Sequence, residues 1–291
     1  MNKVDKAAEL LKVSKEVVEK NQKQLGGGTC FWNPIRGGGS VIIADDGSFL
    51  FGSSSVSPQE LEEEFKKGRR SQTRETIQEL EERAKQGDMV ALYLCGRAYT
   101  NGAYGAIIDC KKGFEFYEKG TVAKHALSIY GLGTCYEQGE YKTCKKTATN
   151  LLAEAFVQIE TEAKKGCKYS QYAYANYFWL GLAGKKEDRA KAMKWYEKSA
   201  VQGFDAAINN LGICYYDGVG VEKNQAKGIE LLKKAASMGS VSAMYNLGNL
   251  LKEEWELDES KQFYKMAADL GHKKARNILH HFKDDGTIFD W

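Results

Sequence analysis

Residues 215–240 read YYDGVGVEKNQAKGIELLKKAASMGS, a helix-forming stretch that is interrupted by two glycines and closed by a third. Gly218 and Gly220 can adopt the positive φ angles that end a helix, at no steric cost. The run from Gln225 to Met238 then places its apolar side chains on one stripe, as an amphipathic helix does. A glycine pair beside a helix start can also bind phosphate. The stretch alone therefore allows two interpretations, a phosphate site or a corner between two helices.

The same pattern recurs along the chain, and this recurrence favours the corner. When the copies are aligned on the glycine of NNLG, the anchor positions are spaced by 36 to 42 residues: Gly96, Gly133, Ala175, Gly212 and Gly248. A second marker lies nine residues before each anchor, at Gly87, Lys124, Gly166, Gly203 and Gly239. Tandem self-similarity at this period is typical of stacked helix pairs, whereas phosphate sites are not usually tandem. We therefore predict repeated pairs of a short helix A and an amphipathic helix B, beginning with a half-unit at about Arg74.

The best-formed unit, residues 205–240, carries AAINNLGICYYDGVGV followed by QAKGIELLKKAASMG, and in this it resembles the Sel1-like repeat, a relative of the tetratricopeptide repeat. VSAMYNLG and YKMAADLGH match the pattern well, and the resemblance extends from about Arg74 to Ala275. The middle unit departs from it with Ala175 in place of the anchor glycine. The resemblance implies a right-handed superhelix with a concave groove, and a function as an adaptor. We expect a mainly α chain in which residues 71–291 form this α-solenoid, with a C-terminal capping helix and tail.

The family geometry implies which side chains line the groove, namely those three before, one after and four after each anchor on helix A. The resulting candidate binding residues are Tyr93, Arg97, Tyr130, Tyr172, Asn176, Trp179, Asn209, Tyr216, Tyr245 and Asn249. A groove of tyrosine and asparagine with few charges suits an extended peptide or a helix of a protein partner. The same side chains can instead pack between units, because tyrosine and asparagine are also the family's usual residues at the first of these positions.

The middle unit is the expected hot spot for binding. Its helix A reads YSQYAYANYFWLGLAG, which is more aromatic than packing on one stripe requires. Tyr172, Asn176 and Trp179 share one face of that helix, because they follow each other at i, i+4 and i+7. The alternative is that Trp179 fills space in the core beside Ala175.

Residues 1–70 differ in composition from the rest and predict a small α+β domain. Both prolines lie there, Pro34 and Pro58, together with glycine triplets at 26–28 and 37–39. One amphipathic helix is predicted from Val4 to Gln24, and SVIIA and FLFG around Asp46-Gly47 predict a β-hairpin. The candidate core positions of the helix are Val4, Ala8, Leu11, Val18 and Leu25. A further helix is predicted to begin near Ser57.

The segment GGGTCFWNPIRGGG, residues 26–39, gives a second function to consider, because its exposed backbone N–H groups and Arg36 could bind an anion or nucleotide. In that alternative the chain is a ligand- or effector-sensing regulator. The segment has neither a P-loop motif nor a dinucleotide-binding fingerprint, and loops between tight strands also explain its glycines. A third, weaker alternative is a hydrolase, since some Sel1-repeat proteins are linked to β-lactam binding. S-x-x-K, G-x-S-x-G and H-E-x-x-H are all absent from the chain, so we expect no catalysis and no cofactor.

Charge and cysteine usage limit the partners and the compartment. The net charge is +3, from 42 basic and 39 acidic residues, which does not indicate nucleic acid or an anionic membrane as partner. The N-terminus has no secretory h-region and the longest apolar run is too short to span a bilayer, so we expect a cytoplasmic protein. Seven cysteines without a C-x-x-C motif predict reduced, inert thiols and no zinc site. The apolar tail, DDGTIFDW at 284–291, is predicted to fold back on the last repeat.

Overall fold

The computed structural model describes residues 2–11, 14–25, 28–32, 40–44, 49–52, 62–63, 76–139 and 144–282. The chain divides into two compact units, Met1–Arg74 and Glu75–Trp291. Three of the predictions above lie outside the described residues: most of the glycine-rich segment 26–39, the start of the helix near Ser57, and the folded-back tail after residue 282.

The first unit combines two short helices with an antiparallel sheet. Its elements in chain order are α1 (Lys3–Leu11), α2 (Lys15–Lys20), β1 (Gln22–Leu25), β2 (Gly28–Trp32), β3 (Ser40–Ala44) and β4 (Phe49–Gly52). The described strands pair in the order β1-β2-β3-β4. The predicted hairpin is confirmed, because β3 and β4 pair antiparallel from Ser40 opposite Gly52 to Ile43 opposite Phe49. Helices and sheet enclose a small core of Ala7, Leu11, Val18, Phe31, Val41 and Ile43.

The prediction of one helix from Val4 to Gln24 is wrong. Helix α1 ends at Leu11, and Ser14 has the extended backbone of a helix N-cap, with φ −68° and ψ 155°, from which α2 begins. The last part of the predicted helix is instead strand β1, whose residues pair antiparallel with β2. The side chains of β1 are mostly exposed, so its pairing comes from the backbone and leaves no alternating hydrophobic pattern in the sequence.

The second unit is the predicted α-solenoid. Its described helices are α3 (Ile77–Lys85), α4 (Met89–Asn101), α5 (Cys110–Val122), α6 (Ala126–Gln138), α7 (Lys145–Lys164), α8 (Lys168–Trp179), α9 (Arg189–Val201), α10 (Asp205–Asp217), α11 (Gln225–Ser237), α12 (Val241–Glu253), α13 (Leu257–Asp269) and α14 (Lys273–Leu279). Helix α3 is the predicted half-unit, and the even-numbered helices from α4 to α12 are the five A helices. Each packs against the B helix that follows it.

Small residues at the centre of each helix pair let the two backbones approach closely. A Cβ added to Gly212 of α10 would lie 2.7 Å from Leu232 Cγ, and one added to Gly228 of α11 would lie 2.7 Å from the Gly212 carbonyl oxygen. The equivalent B-helix positions in the other pairs, each four residues after the N-cap, are also small and buried: Gly113, Ala148, Ala192 and Ser260. A small anchor residue, glycine in four units and Ala175 in the middle one, therefore lets helices A and B approach closely.

The second sequence marker ends each B helix with a left-handed residue. The glycines Gly87, Gly166, Gly203 and Gly239 have φ between 75° and 100°. Lys124 occupies the same place with φ 55°, so the corner keeps its geometry without glycine. The pair Gly218 and Gly220 also adopts positive φ, 76° and 74°, which confirms the corner interpretation of the opening stretch.

The solenoid turns back on itself, so that the first repeat contacts the fourth and fifth. The Val241 N–H at the start of α12 donates to the Gly102 carbonyl oxygen at 3.2 Å, and the Ile108 N–H donates to the Leu270 carbonyl oxygen at 3.0 Å. Arg97 of α4 forms an ion pair with Asp205 at the start of α10, with Nη2 2.7 Å from Oδ2. We call these contacts the seam. They close one side of the superhelix.

Candidate functional site

A pocket of about 250 Å³ opens on the inner surface of the first three repeats. We call it the concave pocket. Six of the candidate binding residues line it: Tyr93, Arg97, Tyr130, Tyr172, Asn176 and Trp179. They come from α4, α6 and α8, which stand side by side because a left-handed corner residue, Lys124 or Gly166, leads from each B helix to the next A helix. Asn210 of α10 also contributes to the lining.

Arg97 is the most constrained residue of the pocket. It is 6% exposed, and its Nη2 pairs with Asp205. Its Cζ atom lies 4.7 Å from the centre of the Phe204 ring. Burial alone would lower the pKa of Arg97, but the charge and hydrogen bond of Asp205 raise it above the ordinary value, so the side chain stays charged. Its second terminal nitrogen, Nη1, is buried and has no hydrogen-bond partner among the described residues.

Asn176 holds three helices together at the pocket wall. Its Nδ2 donates to the Tyr130 hydroxyl at 2.7 Å, and its Oδ1 accepts from the Tyr196 hydroxyl. Both ends of the amide are thus used within the protein. Asn176 shapes the pocket, and its substitution should also loosen the contact between α6, α8 and α9.

The aromatic cluster of α8 divides into core and pocket residues. Tyr174 and Tyr177 are buried, and their hydroxyls donate to Glu160 Oε1 at 2.9 Å and to the Leu152 carbonyl oxygen at 2.6 Å. Tyr172 and Trp179 are only half-buried and line the pocket. Arg189 covers the Trp179 ring, with Cζ 4.2 Å from its centre. Two of these aromatic residues thus belong to the core and two line the pocket, and the predicted binding hot spot stays a prediction.

The remaining four candidates are not part of the concave pocket. Asn209 is buried and accepts from Asn246 Nδ2 at 2.9 Å, and Tyr216 is buried with its hydroxyl 3.3 Å from Glu254 Oε1. Tyr245 stacks on His272 with ring centres 4.3 Å apart, and Asn249 accepts from the Tyr264 hydroxyl at 2.7 Å. These residues join neighbouring helices in the fourth and fifth repeats.

Sequence reasoning missed residues of other helices that contact the lining residues without lining the pocket themselves. Phe204 and Asp205 begin α10, yet they reach Arg97 across the superhelix, and Tyr196 of α9 supports Asn176. No local pattern identifies them, because Asp205 is 108 residues from its partner.

None of the seven cysteines, all of which the structure describes, forms a disulfide bond, and their environments differ. Cys144 is exposed, and a hydrogen bond from the Thr147 hydroxyl, 3.0 Å from its sulfur, lowers its pKa. Burial instead raises the pKa of Cys30 to about 11 and that of Cys214 to about 12. The thiolate is the reactive form of cysteine, so Cys144 is predicted to react faster than Cys30 and Cys214.

Cys144 should be alkylated by iodoacetamide at least tenfold faster than Cys214, because it is exposed and its thiolate fraction is larger. The pH midpoint of its reaction should lie below that of an unperturbed thiol, about 8.5, since its pKa is lowered. Peptide mass spectrometry after timed alkylation measures both. Thr147→Val should move the midpoint upward by removing the hydrogen bond, and an unchanged midpoint would contradict the assigned cause.

The described residues contain no cluster of His, Cys, Asp or Glu that could hold a metal ion. In that same part of the chain, none of the helices combines the length and apolar character needed to cross a bilayer.

Comparison with known proteins places the solenoid in a family. The family model "Sel1 repeat" matches residues 90–121, 126–146, 168–204, 205–240 and 241–272, which together make up more than half of the chain. A solved Sel1 repeat protein from Oxalobacter formigenes superposes with a TM-score of 0.44 at 20% identity, covering 69% of this chain and 79% of that one.

Two curated relatives share parts of the repeat region. The ERAD-associated E3 ubiquitin-protein ligase component HRD3B of Arabidopsis thaliana is 36% identical over 98 residues, 33% of this chain and 15% of that protein. Chitin synthase regulatory factor 3 of Schizosaccharomyces pombe is 26% identical over 163 residues, 54% of this chain and 17% of that protein. The chain thus spans less than a fifth of either relative. The matched repeats, their spacing and the helix pairs they form show that the chain belongs to the Sel1 repeat family.

Proposed function

We propose that this chain is a non-catalytic adaptor that holds a peptide or protein partner at the concave pocket. The observation that carries the proposal is the pocket itself, where Tyr172 and Trp179 present half-buried aromatic surface beside hydrogen-bonding groups. Partly exposed aromatic side chains that line a pocket are typical anchors of protein interfaces.

The family supports the same function. Its members here include a component of a ubiquitin ligase and a regulatory factor of chitin synthase, by their names proteins that act with others. Cysteines without disulfide bonds are compatible with a reducing compartment such as the cytosol. Since the four candidate residues of repeats four and five contact neighbouring helices, the partner should engage the first three repeats.

Trp179→Ala should weaken partner binding at least tenfold, because an aromatic anchor near an interface centre contributes about 2 kcal/mol or more. The partner is first captured from the native host and identified by mass spectrometry. Dissociation constants are then measured by calorimetry with the purified partner. The matched control is Trp255→Ala, which removes the same side chain at a site that is 81% exposed in the turn before α13.

The proposal requires Trp179→Ala to bind the partner more weakly than Trp255→Ala does. Equal binding by Trp179→Ala and Trp255→Ala, with both still folded by circular dichroism, would contradict a partner site at the concave pocket. A melting temperature several degrees lower for Trp179→Ala with normal binding by its folded fraction would assign Trp179 to the core.

A further inference from the structure

The lining of the concave pocket is rich in hydrogen-bond donors and contains one charge. Among the described residues that line it, Arg97 alone is charged, and the other polar side chains include hydroxyls and amides, such as Tyr93, Tyr130 and Asn210. Asp205 lies behind Arg97 and is not part of the lining. A group entering the pocket therefore meets a cation and several donors, and no carboxylate belongs to the described part of its lining.

The guanidinium of Arg97 is incompletely bonded. Arginine and carboxylate often form two parallel hydrogen bonds, but Asp205 accepts here from Nη2 alone. Nη1 has no acceptor within the described part of the chain, and a buried donor without a partner is unfavourable. Nη1 is covered in this structure, so a new acceptor would reach it after a small rotation of the guanidinium. Such an acceptor would give Arg97 Nη1 the hydrogen bond that it lacks.

The phenols of the pocket remain donors. Burial raises the pKa of Tyr93 and that of Tyr130 well above the ordinary value, so both hydroxyls keep their protons. Tyr130 already accepts a hydrogen bond from Asn176, and its own O–H proton can serve a second group. An ionised carboxylate, which only accepts hydrogen bonds, is the complementary group for such a surface.

We propose that the concave pocket binds a carboxylate of the protein partner, held by Arg97 and the surrounding tyrosine hydroxyls. This inference rests on the proposed function, since it names the chemistry of the group recognised at that site. A volume of about 250 Å³ is below the range of roughly 300–1,000 Å³ for drug-sized ligands, so the pocket takes one or two residues. The carboxylate comes either from the partner's C-terminus or from an acidic side chain.

Three small probes test the chemistry without knowledge of the partner. N-acetyl-leucine carries a terminal carboxylate, N-acetyl-glutamic acid with its α-carboxyl amidated carries a side-chain carboxylate, and N-acetyl-leucinamide carries none. Each is titrated into the unmodified ¹⁵N-labelled chain while the Arg97 Nε–Hε resonance is followed by NMR. We expect at least one acid to bind tenfold or more tightly than the neutral amide. The tighter of the two acids identifies the source of the carboxylate.

A double variant tests the role of Arg97 without leaving a buried charge. Arg97→Met combined with Asp205→Leu replaces the ion pair by apolar side chains of similar size, a change that proteins often tolerate. It should fold and lose the preference for acid over amide, measured by calorimetry with the same three probes. The proposal is overturned if the unmodified chain binds amide and acids equally, or if the double variant keeps the preference.

The outcomes separate this proposal from the proposed function. Should the probes show no preference for carboxylate while Trp179→Ala still weakens partner binding, the carboxylate is wrong and the adaptor site stands. If the acids bind at Arg97 but Trp179→Ala leaves partner binding unchanged, the pocket recognises carboxylate and the partner binds elsewhere.

Discussion

Asp205→Ala should lower the free energy of unfolding of the solenoid by about 3–5 kcal/mol, because it leaves the charge of Arg97 buried without a counter-ion. The side chains of the pair are only 7% and 11% exposed, so water cannot replace the lost carboxylate. The loss should be measured from urea unfolding followed by circular dichroism. The seam should open as well, which hydrogen exchange at the Val241 and Ile108 amides would report.

The matched control is Glu187→Ala, which breaks an ion pair of similar length at the surface. Arg189 Nη2 lies 2.8 Å from Glu187 Oε2, but the two side chains are 40% and 59% exposed. Pairs of this kind contribute about 0–1 kcal/mol. The double variant Arg97→Met with Asp205→Leu should recover most of the loss, since it removes the buried charge itself. If Asp205→Ala lowers the free energy of unfolding no more than Glu187→Ala does, the role of the buried ion pair in closing the seam is contradicted.

Gly228→Val should destabilise the solenoid by about 3 kcal/mol, although glycine is a poor helix former. A Cβ at this position would lie 2.7 Å from both the Gly212 carbonyl oxygen and the Tyr216 nitrogen. Backbone atoms of a packed helix cannot move aside as a flexible side chain can, so α10 and α11 must separate. The change is measured by chemical denaturation, and the melting temperature should fall with it.

Ala226→Val is the control for Gly228→Val, because it places the same side chain two residues earlier on α11 at an exposed position. Its effect should stay below about 0.7 kcal/mol, the range of intrinsic helix propensity for ordinary residues. The pair of alanines at the equivalent positions of the middle repeat, Ala175 and Ala192, shows that one helix pair accommodates a small side chain on each helix. If Gly228→Val and Ala226→Val lower the free energy of unfolding equally, α10 and α11 are not in close contact.

The solenoid could be predicted from the sequence because its information is local and repeated. A helix pair needs glycine or a small residue at the close contact, a left-handed corner and an apolar stripe, and each requirement concerns residues within one unit. In the unit at 205–240 the helix predicted from Gln225 to Met238 begins and ends within one residue of α11. The β3–β4 hairpin was predictable for the same reason, since its strands adjoin one turn.

Strand β1 could not be predicted, because its residues carry helix-forming side chains that stay exposed. Gln22, Lys23 and Gln24 gain their structure from backbone pairing with β2, and no hydrophobic alternation records that pairing. Local propensity was therefore overridden by the neighbouring strand.

The sequence by itself determined the repeat, the helix pairs and the set of side chains on the A helices. Only the tertiary structure decided which of those side chains meet. The small rotation between repeats accumulates along the solenoid until Asp205 reaches Arg97 and the fifth repeat reaches Gly102. No local pattern encodes that sum of rotations. It places Tyr172 and Trp179 beside a pocket, while Asn209 and Asn249, at the same positions of their own helices as Tyr172 and Asn176, bond to neighbouring helices.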